Sequence, residues 1–266
     1  MGEYFMWANP KKKEWIEAGV FSEFGFMVSI ASELGNRYTD AACTLMAGPW
    51  RGDPVLFIGD YFNPEKESPV GKLFGGYPYE TVLDSFVDVS GLFSDSGGLM
   101  RAVYGDASDS DEVPYDGLFE LDVRHYRYAV NKTRGEYVDR DRAPIDSVFF
   151  FGGNYSWSRF DPIPWLLSPC GDPKDEWAGR WCCDEVDMSD EAPEGGYKDA
   201  TAVSCIQWGF VSASDEEMER LVASEAFARE LVARGITAGP DGDIELHGAV
   251  DVILGLLPSL SCSRHS

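Results

Sequence analysis

Residues 4–17, "YFMWANPKKKEWIE", return in altered form at residues 126–139 as "YRYAVNKTRGEYVD", and this echo constrains the chain more than any other feature. At an offset of 122 positions Tyr4 meets Tyr126, Asn9 meets Asn131, Glu14 meets Glu136, Trp15 meets Tyr137, Ile16 meets Val138 and Glu17 meets Asp139. In each copy an aromatic and aliphatic run enters an Asn-led segment carrying basic residues, then leaves through a second aromatic and β-branched run. Asn tolerates turn conformations and the flanking residues suit a pleated surface, so each copy predicts a β-hairpin.

A second echo follows. "AGPWRGDPV" at residues 47–55 matches "AGRWCCDEV" at residues 178–186 at Ala, Gly, Trp, Asp and Val, now at an offset of 131. The strand "DPVLFIGDY" at residues 53–61 also resembles "DSVFFFGGNY" at residues 146–155, which competes for the same role. Either pairing points to an internal repetition of a hairpin-plus-strand unit. The expected fold is α+β, with related β-hairpin-based halves at 1–113 and 114–210 and a helical C-terminal segment at 211–266. In that segment "SDEEMERLVASEAFARELVARG" opens with a Ser214/Glu217 capping box and stops at Gly235, with Ser224 placed to restart the helix. Residues 239–248, "GPDGDIELHG", read as a turn and short strand, and "AVDVILGLLP" as a short apolar helix. Two further helices are expected, one across 21–35 and one around Val82, Leu83, Phe86, Val87 and Val89 that ends at Gly91.

The opening "MGEYFMWANPKKKEWI" with the later "GPWRGDPVLFIGDY" resembles a family of uncharacterised bacterial proteins. These begin M-G-x-Y-F, continue into an Asn-x-x-Lys-Lys-Glu hairpin and carry a W-x-G-D strand. The matching positions are Met1, Gly2, Tyr4, Phe5, Asn9, Lys12, Lys13, Glu14, Trp15 and Ile16, then Trp50, Gly52, Asp53, Gly59 and Asp60. The resemblance implies no activity; its bacterial and mobile-element setting implies a role in conflict between phage and host.

Charge bounds the function further. The chain has 46 acidic and 22 basic residues among 266, a formal net of −24. Spread evenly over a folded body of this mass, the excess charges would lie about 22 Å apart, beyond the ~8 Å Debye length of physiological salt. Only clustered carboxylates produce a strong local field. One cluster comprises Asp106, Asp109, Asp111, Glu112, Asp116, Glu120 and Asp122; the other comprises Asp184, Glu185, Asp187, Asp190, Glu191 and Glu194. Both carry apolar residues among the acids and no base, which predicts acidic loops held on a folded body. They are the expected partner-binding residues of an acidic binding module or inhibitor. Its partner would be a basic protein, such as a nucleic-acid-handling defence complex, engaged in the manner of an anti-CRISPR protein or DNA mimic. Direct nucleic-acid binding is not expected, because the one compact basic run, Lys11, Lys12 and Lys13, reads as a solvated turn.

Other chemistries find little support. The histidines His125, His247 and His265 lack a nucleophile elbow, so no catalytic triad is expected. Cys170, Cys182, Cys183 and Cys205 lack a zinc-ligand spacing, and reduced thiols in a cytoplasmic protein are the expectation. No phosphate cradle is present, and no cofactor or metal is expected. A divalent-metal hydrolase would rest on Asp53 and Asp60, or on the oxygen-rich turn at Asp241, Asp243 and Glu245. A structural or oligomeric protein would use Trp157, Phe160 and Trp165, which serve equally as core. The apolar runs are too short to cross a bilayer.

Overall fold

The computed structural model describes residues 4–21, 34–65, 68–74, 77–93, 121–143, 145–151, 154–169, 178–201, 214–233 and 244–247. Residues 22–33 of the helix predicted across 21–35 and the helix predicted after 248 lie outside these residues, as do the turn at 239–243 and Gly235. The fold is α+β. The chain divides into two units, one formed by Met1–Tyr137 with Pro162–Lys198, the other by Val138–Asp161 with Asp199–Ser266.

In the first unit, strands β1 (Phe5–Asn9), β2 (Glu14–Ile16), β3 (Leu56–Gly59) and β4 (Val87–Asp88) form a sheet in the order β3-β1-β2-β4. β1 runs antiparallel to β2 and β3, and β4 adds parallel to β2. Alternation along β1 and β3 sends side chains to two faces. Met6, Ala8, Leu56 and Ile58 pack with Val70 and Phe74 of helix α2 (Pro69–Phe74) and Val82 of α3 (Pro78–Ser85). Phe5, Trp7 and Phe57 stack on the other face, where Tyr38 of helix α1 (Arg37–Ala47) meets Phe57 and Phe21. The Tyr38 hydroxyl bridges the hairpin: it accepts from the Trp7 amide at 3.0 Å and donates to the Ile16 carbonyl at 2.9 Å. Helix α1 begins at Asn36, whose side chain accepts from the Thr39 amide at 3.1 Å, and nine of its 11 residues are buried.

The helix expected to reach Gly91 stops at Ser85. Phe86 turns to extended backbone and stacks on Phe74, and Val87–Asp88 is taken by the edge of β2. Sheet pairing here overrides a helical periodicity.

A second four-stranded sheet contains β5 (Tyr128–Asn131), β6 (Glu136–Asp139), β9 (Val186–Ser189) and β10 (Lys198–Asp199), in the order β10-β6-β5-β9. The second unit carries a three-stranded antiparallel sheet, β11-β7-β8, from β7 (Ile145–Phe151), β8 (Asn154–Arg159) and β11 (Ile244–His247). A four-residue helix, α4 (Ile163–Leu166), follows β8. The C-terminal segment supplies α5 (Asp215–Val222), α6 (Glu225–Ala233) and the edge strand β11, so it is not helical throughout. The Ser214/Glu217 capping box is present, and the helix breaks at Ala223–Ser224 and restarts.

Candidate functional site

The two hairpins and the Trp loops that pair with them share several hydrogen bonds. In the first hairpin the Asn9 side-chain oxygen accepts from the amides of Lys11 and Lys12, at 3.1 and 3.0 Å, and its nitrogen donates to Asp53 at 3.1 Å. In the second, the Asn131 oxygen accepts from the Arg134 amide at 2.9 Å and its nitrogen donates to Asp184 at 2.9 Å. A cation joins each carboxylate: Lys11 Nζ lies 2.5 Å from Asp53, and Arg134 Nε 2.5 Å from Asp184. The buried indoles follow suit. Trp50 Nε1 donates to Glu14 at 2.6 Å and Trp181 Nε1 donates to Glu136 at 3.1 Å.

Backbone conformation repeats as well. The left-handed residues Lys13 (φ 56°) and Gly135 (φ 64°) occupy the last turn position of their hairpins, while Gly52 (φ 72°) and Cys183 (φ 66°) precede Asp53 and Asp184. The strand after each Trp loop, β3 or β9, pairs antiparallel with the first strand of its hairpin. This identifies residues 178–186, rather than 146–155, as the geometric counterpart of residues 47–55; the competing segment lies in β7 and β8. A third correspondence escaped the sequence reading. Asp88-Val89-Ser90 and Asp199-Ala200-Thr201 both turn on their Asp, which accepts from the amide two residues later at 2.9 Å. Ser90 Oγ then accepts from the Glu17 amide at 2.7 Å, and Thr201 Oγ1 from the Asp139 amide at 2.8 Å.

These bonds give many suspected residues a structural role. Asp53 is buried: desolvation pushes its carboxyl up, but hydrogen bonds from Lys11 and Asn9 outweigh that and hold it below the usual range. Lys11 is therefore not merely a solvated turn residue, since its ammonium closes the Asp53 site. Asp60 accepts from the Tyr4 amide at 3.2 Å. Among the described residues no group of three or more His, Cys, Asp or Glu side chains is placed to hold a metal ion. Cys183 is pushed up by burial, and after that by Asp184, which disfavours the reactive thiolate. His125 Nδ1 lies 3.4 Å from Asp40. Trp157 Nε1 donates to Asp215 at 2.8 Å, and Phe160 is buried. No helix among the described residues is long and apolar enough to cross a membrane.

Of the first acidic cluster, Asp106, Asp109, Asp111, Glu112, Asp116 and Glu120 lie outside the described residues, and Asp122 is exposed. In the second, Asp184 is engaged as above, Asp187 pairs with Arg51 and Lys132, each at 2.9 Å, and Asp190 pairs with Arg124 at 2.7 Å. Glu185, Glu191 and Glu194 are exposed.

A different set of exposed and acidic residues flanks Tyr79, which packs on the core cluster of Met6 and Ile58. Desolvation raises the Tyr79 phenol, and Asp60, Glu17 and Tyr4 add to the shift. Glu17 is raised by burial first and by Asp88 second. Tyr4, Tyr61, Tyr77, Leu83 and Val87 are exposed, from 45% for Tyr4 to 64% for Tyr61 and Val87. Leu83 lies one turn beyond Tyr79 on α3, and the acidic Glu80 and Asp84 of that helix are exposed. The segment 77–88 contains no Lys or Arg. Sequence reading passed over these residues because they come from separate places: Tyr4 just before β1, the turn after β3, α3 with the Tyr77 that precedes it, and β4.

No protein-family model matches the chain, and neither the curated proteins nor the solved structures contain a significant match to it.

Proposed function

We propose that the protein acts by stoichiometric binding, as an acidic module that engages a Lys/Arg-rich surface on a protein partner. The observation that carries this reading is the pairing of exposed aromatic and aliphatic side chains with carboxylates: Tyr4 and Tyr61 beside Asp60, and Tyr77, Leu83 and Val87 in the segment 77–88 that also exposes Glu80 and Asp84. Tyrosine supplies contact area at low entropic cost and an electron-rich face for a cation, while carboxylates accept the charged hydrogen bonds of arginine. Where the acidic excess of the chain is clustered, its local field speeds encounter with a cationic body. Proteins that handle nucleic acid carry such surfaces because neutralising phosphate requires them, and they are the partner class this chemistry fits.

The test is calorimetric titration with an Arg-rich peptide at low and high salt. Binding should weaken with salt and fall at least tenfold in the triple variant Asp60→Asn/Glu80→Gln/Asp84→Asn, while Glu185→Gln/Glu191→Gln/Glu194→Gln retains it. Loss in the second variant alone would move the contact to the exposed acids of residues 185–194. Equal affinity in all three proteins would refute a role for either surface.

A further inference from the structure

We infer that the first unit holds a second, chemically opposite site: a cavity for a small apolar molecule bearing a single carboxylate, read by Arg134. The cavity, of about 520 Å³, is open on one side. Phe62, Pro64, Pro69, Val70 and Pro169 give it an apolar wall, and among the described residues Arg134 is the one basic residue in its lining. Its size falls in the range of small-molecule sites, and Asn63, Ser68 and Glu65 set polar groups beside the apolar wall.

Arg134 is aimed by the hairpin rather than by chance. Asn131 fixes its backbone, and Asp184, itself held by the Asn131 amide, takes its Nε. That leaves the two Nη groups at the end of the guanidinium without a hydrogen bond among the described residues, on a side chain 39% exposed whose charge is also felt by Glu136. Two parallel N–H donors at fixed spacing match a carboxylate. The first hairpin shows what is special here: its Asp53 is closed by Lys11, a point charge with no fork to offer. Glu65, also in the lining, opposes ligands with several negative charges, so nucleotides and polyphosphates fit poorly and one anionic group fits well. The adjacent Cys182 and Cys183 line the same cavity, and their thiols report its occupancy.

The probe is 4-phenylbutyrate, with its uncharged amide as the matched control, read by alkylation of Cys182 and Cys183 mapped by mass spectrometry and by calorimetry. The acid should slow alkylation at both positions and bind at least tenfold more tightly than the amide. Arg134→Lys, which preserves a cation for Asp184 as Lys11 does for Asp53, should lose that preference while its melting temperature stays near wild type. Equal protection by acid and amide, no protection by either at millimolar concentration, or an undiminished preference in Arg134→Lys would each overturn the inference. The acid–amide contrast on the unaltered protein decides the matter even where the variant folds poorly.

Discussion

The Asn9–Asp53 contact permits a sharp test of the hairpin chemistry. Asn9→Asp changes one nitrogen to oxygen, keeping the acceptor that binds the Lys11 and Lys12 amides while replacing the donor that faces Asp53 at 3.1 Å. Asn9 is fully buried and Asp53 nearly so. At neutral pH two carboxylates would then share the site. At an effective dielectric of about 20, like charges 4 Å apart repel by about 4 kcal/mol. The alternative is to keep one carboxyl protonated, which at pH 7 costs about 1.4 kcal/mol for each of the roughly three pH units above an ordinary Asp pKa, again about 4 kcal/mol. Both routes set the loss near 4 kcal/mol at pH 7. A protonated carboxyl accepts with one oxygen and donates with the other, as the amide does, so the penalty should vanish near pH 4. The sign follows from linkage: the new group has a raised folded pKa, so its penalty is full above that value and absent below its unfolded one. Urea unfolding of wild type and variant at pH 7, 6, 5 and 4 should give a difference that shrinks by about 1.4 kcal/mol per pH unit. A difference below about 1 kcal/mol at pH 7, or one independent of pH, would refute the reasoning. Asn131→Asp, facing Asp184 at 2.9 Å, should trace a parallel profile.

Other perturbations probe separate parts of the frame. Arg140 and Asp161 are both fully buried and joined through Arg140 Nε at 3.0 Å and Nη2 at 2.5 Å, so Arg140→Met or Asp161→Leu alone should cost about 3–5 kcal/mol in denaturant unfolding. The double variant should be more stable than either single one, because no charge is left buried alone. Gly179 has φ 68°, and a Cβ there would lie 2.9 Å from the Ser168 carbonyl oxygen, so Gly179→Ala should destabilise by about 2 kcal/mol or more. Gly135→Ala, with φ 64° but open space around the new atom, should lose only about 1 kcal/mol by the same measurement. Glu17→Gln should raise the melting temperature at pH 7, where burial and Asp88 penalise the ionised Glu17; the gain should disappear in acid, where the wild-type side chain is neutral.

The hairpins were legible because Asn9 and Asn131 sit between aromatic runs, a local pattern that a turn explains by itself. The Trp loops were legible only as an echo with a competitor, since what distinguishes residues 178–186 from 146–155 is the strand each pairs with, a long-range fact. The Asp-x-Ser/Thr turns passed unseen: one shared Asp and a hydroxyl beside two-residue strands are too little signal. Helix α1 escaped for a different reason. Burial on nearly all sides, with Thr39 and Thr44 among its buried residues, erases the apolar stripe by which a surface helix is recognised. Asp53 drew suspicion as a metal ligand because a sequence displays carboxylates without their partners; Asn9 and Lys11, more than 40 positions away, decide its role.

The frame's internal ion pairs explain how a stable fold coexists with so acid a surface. At least eight Lys or Arg side chains pair with seven carboxylates, Asp187 serving two of them. Among these pairs the acids are matched one to one by bases, except that Asp187 takes two. Two opposite salt effects follow. Exposed carboxylates repel one another across the surface and are screened by added salt, whereas buried pairs such as Arg140–Asp161 are screened little. Moderate salt should therefore raise the melting temperature at pH 7. Glu136 is held below the usual range by Arg180; buried Asp53 and exposed Asp215 are held there against desolvation, by Lys11 with Asn9 and by Arg159 with Trp157. A carboxyl with a depressed folded pKa contributes stability that is present above its unfolded pKa and lost as pH falls through the folded one. Salt should accordingly help least in acid, where repulsion among carboxylates has gone and the paired acids are being protonated. A melting temperature that falls with added salt at pH 7 would mean that exposed ion pairs outweigh surface repulsion, and that the acid excess is already neutralised within the fold.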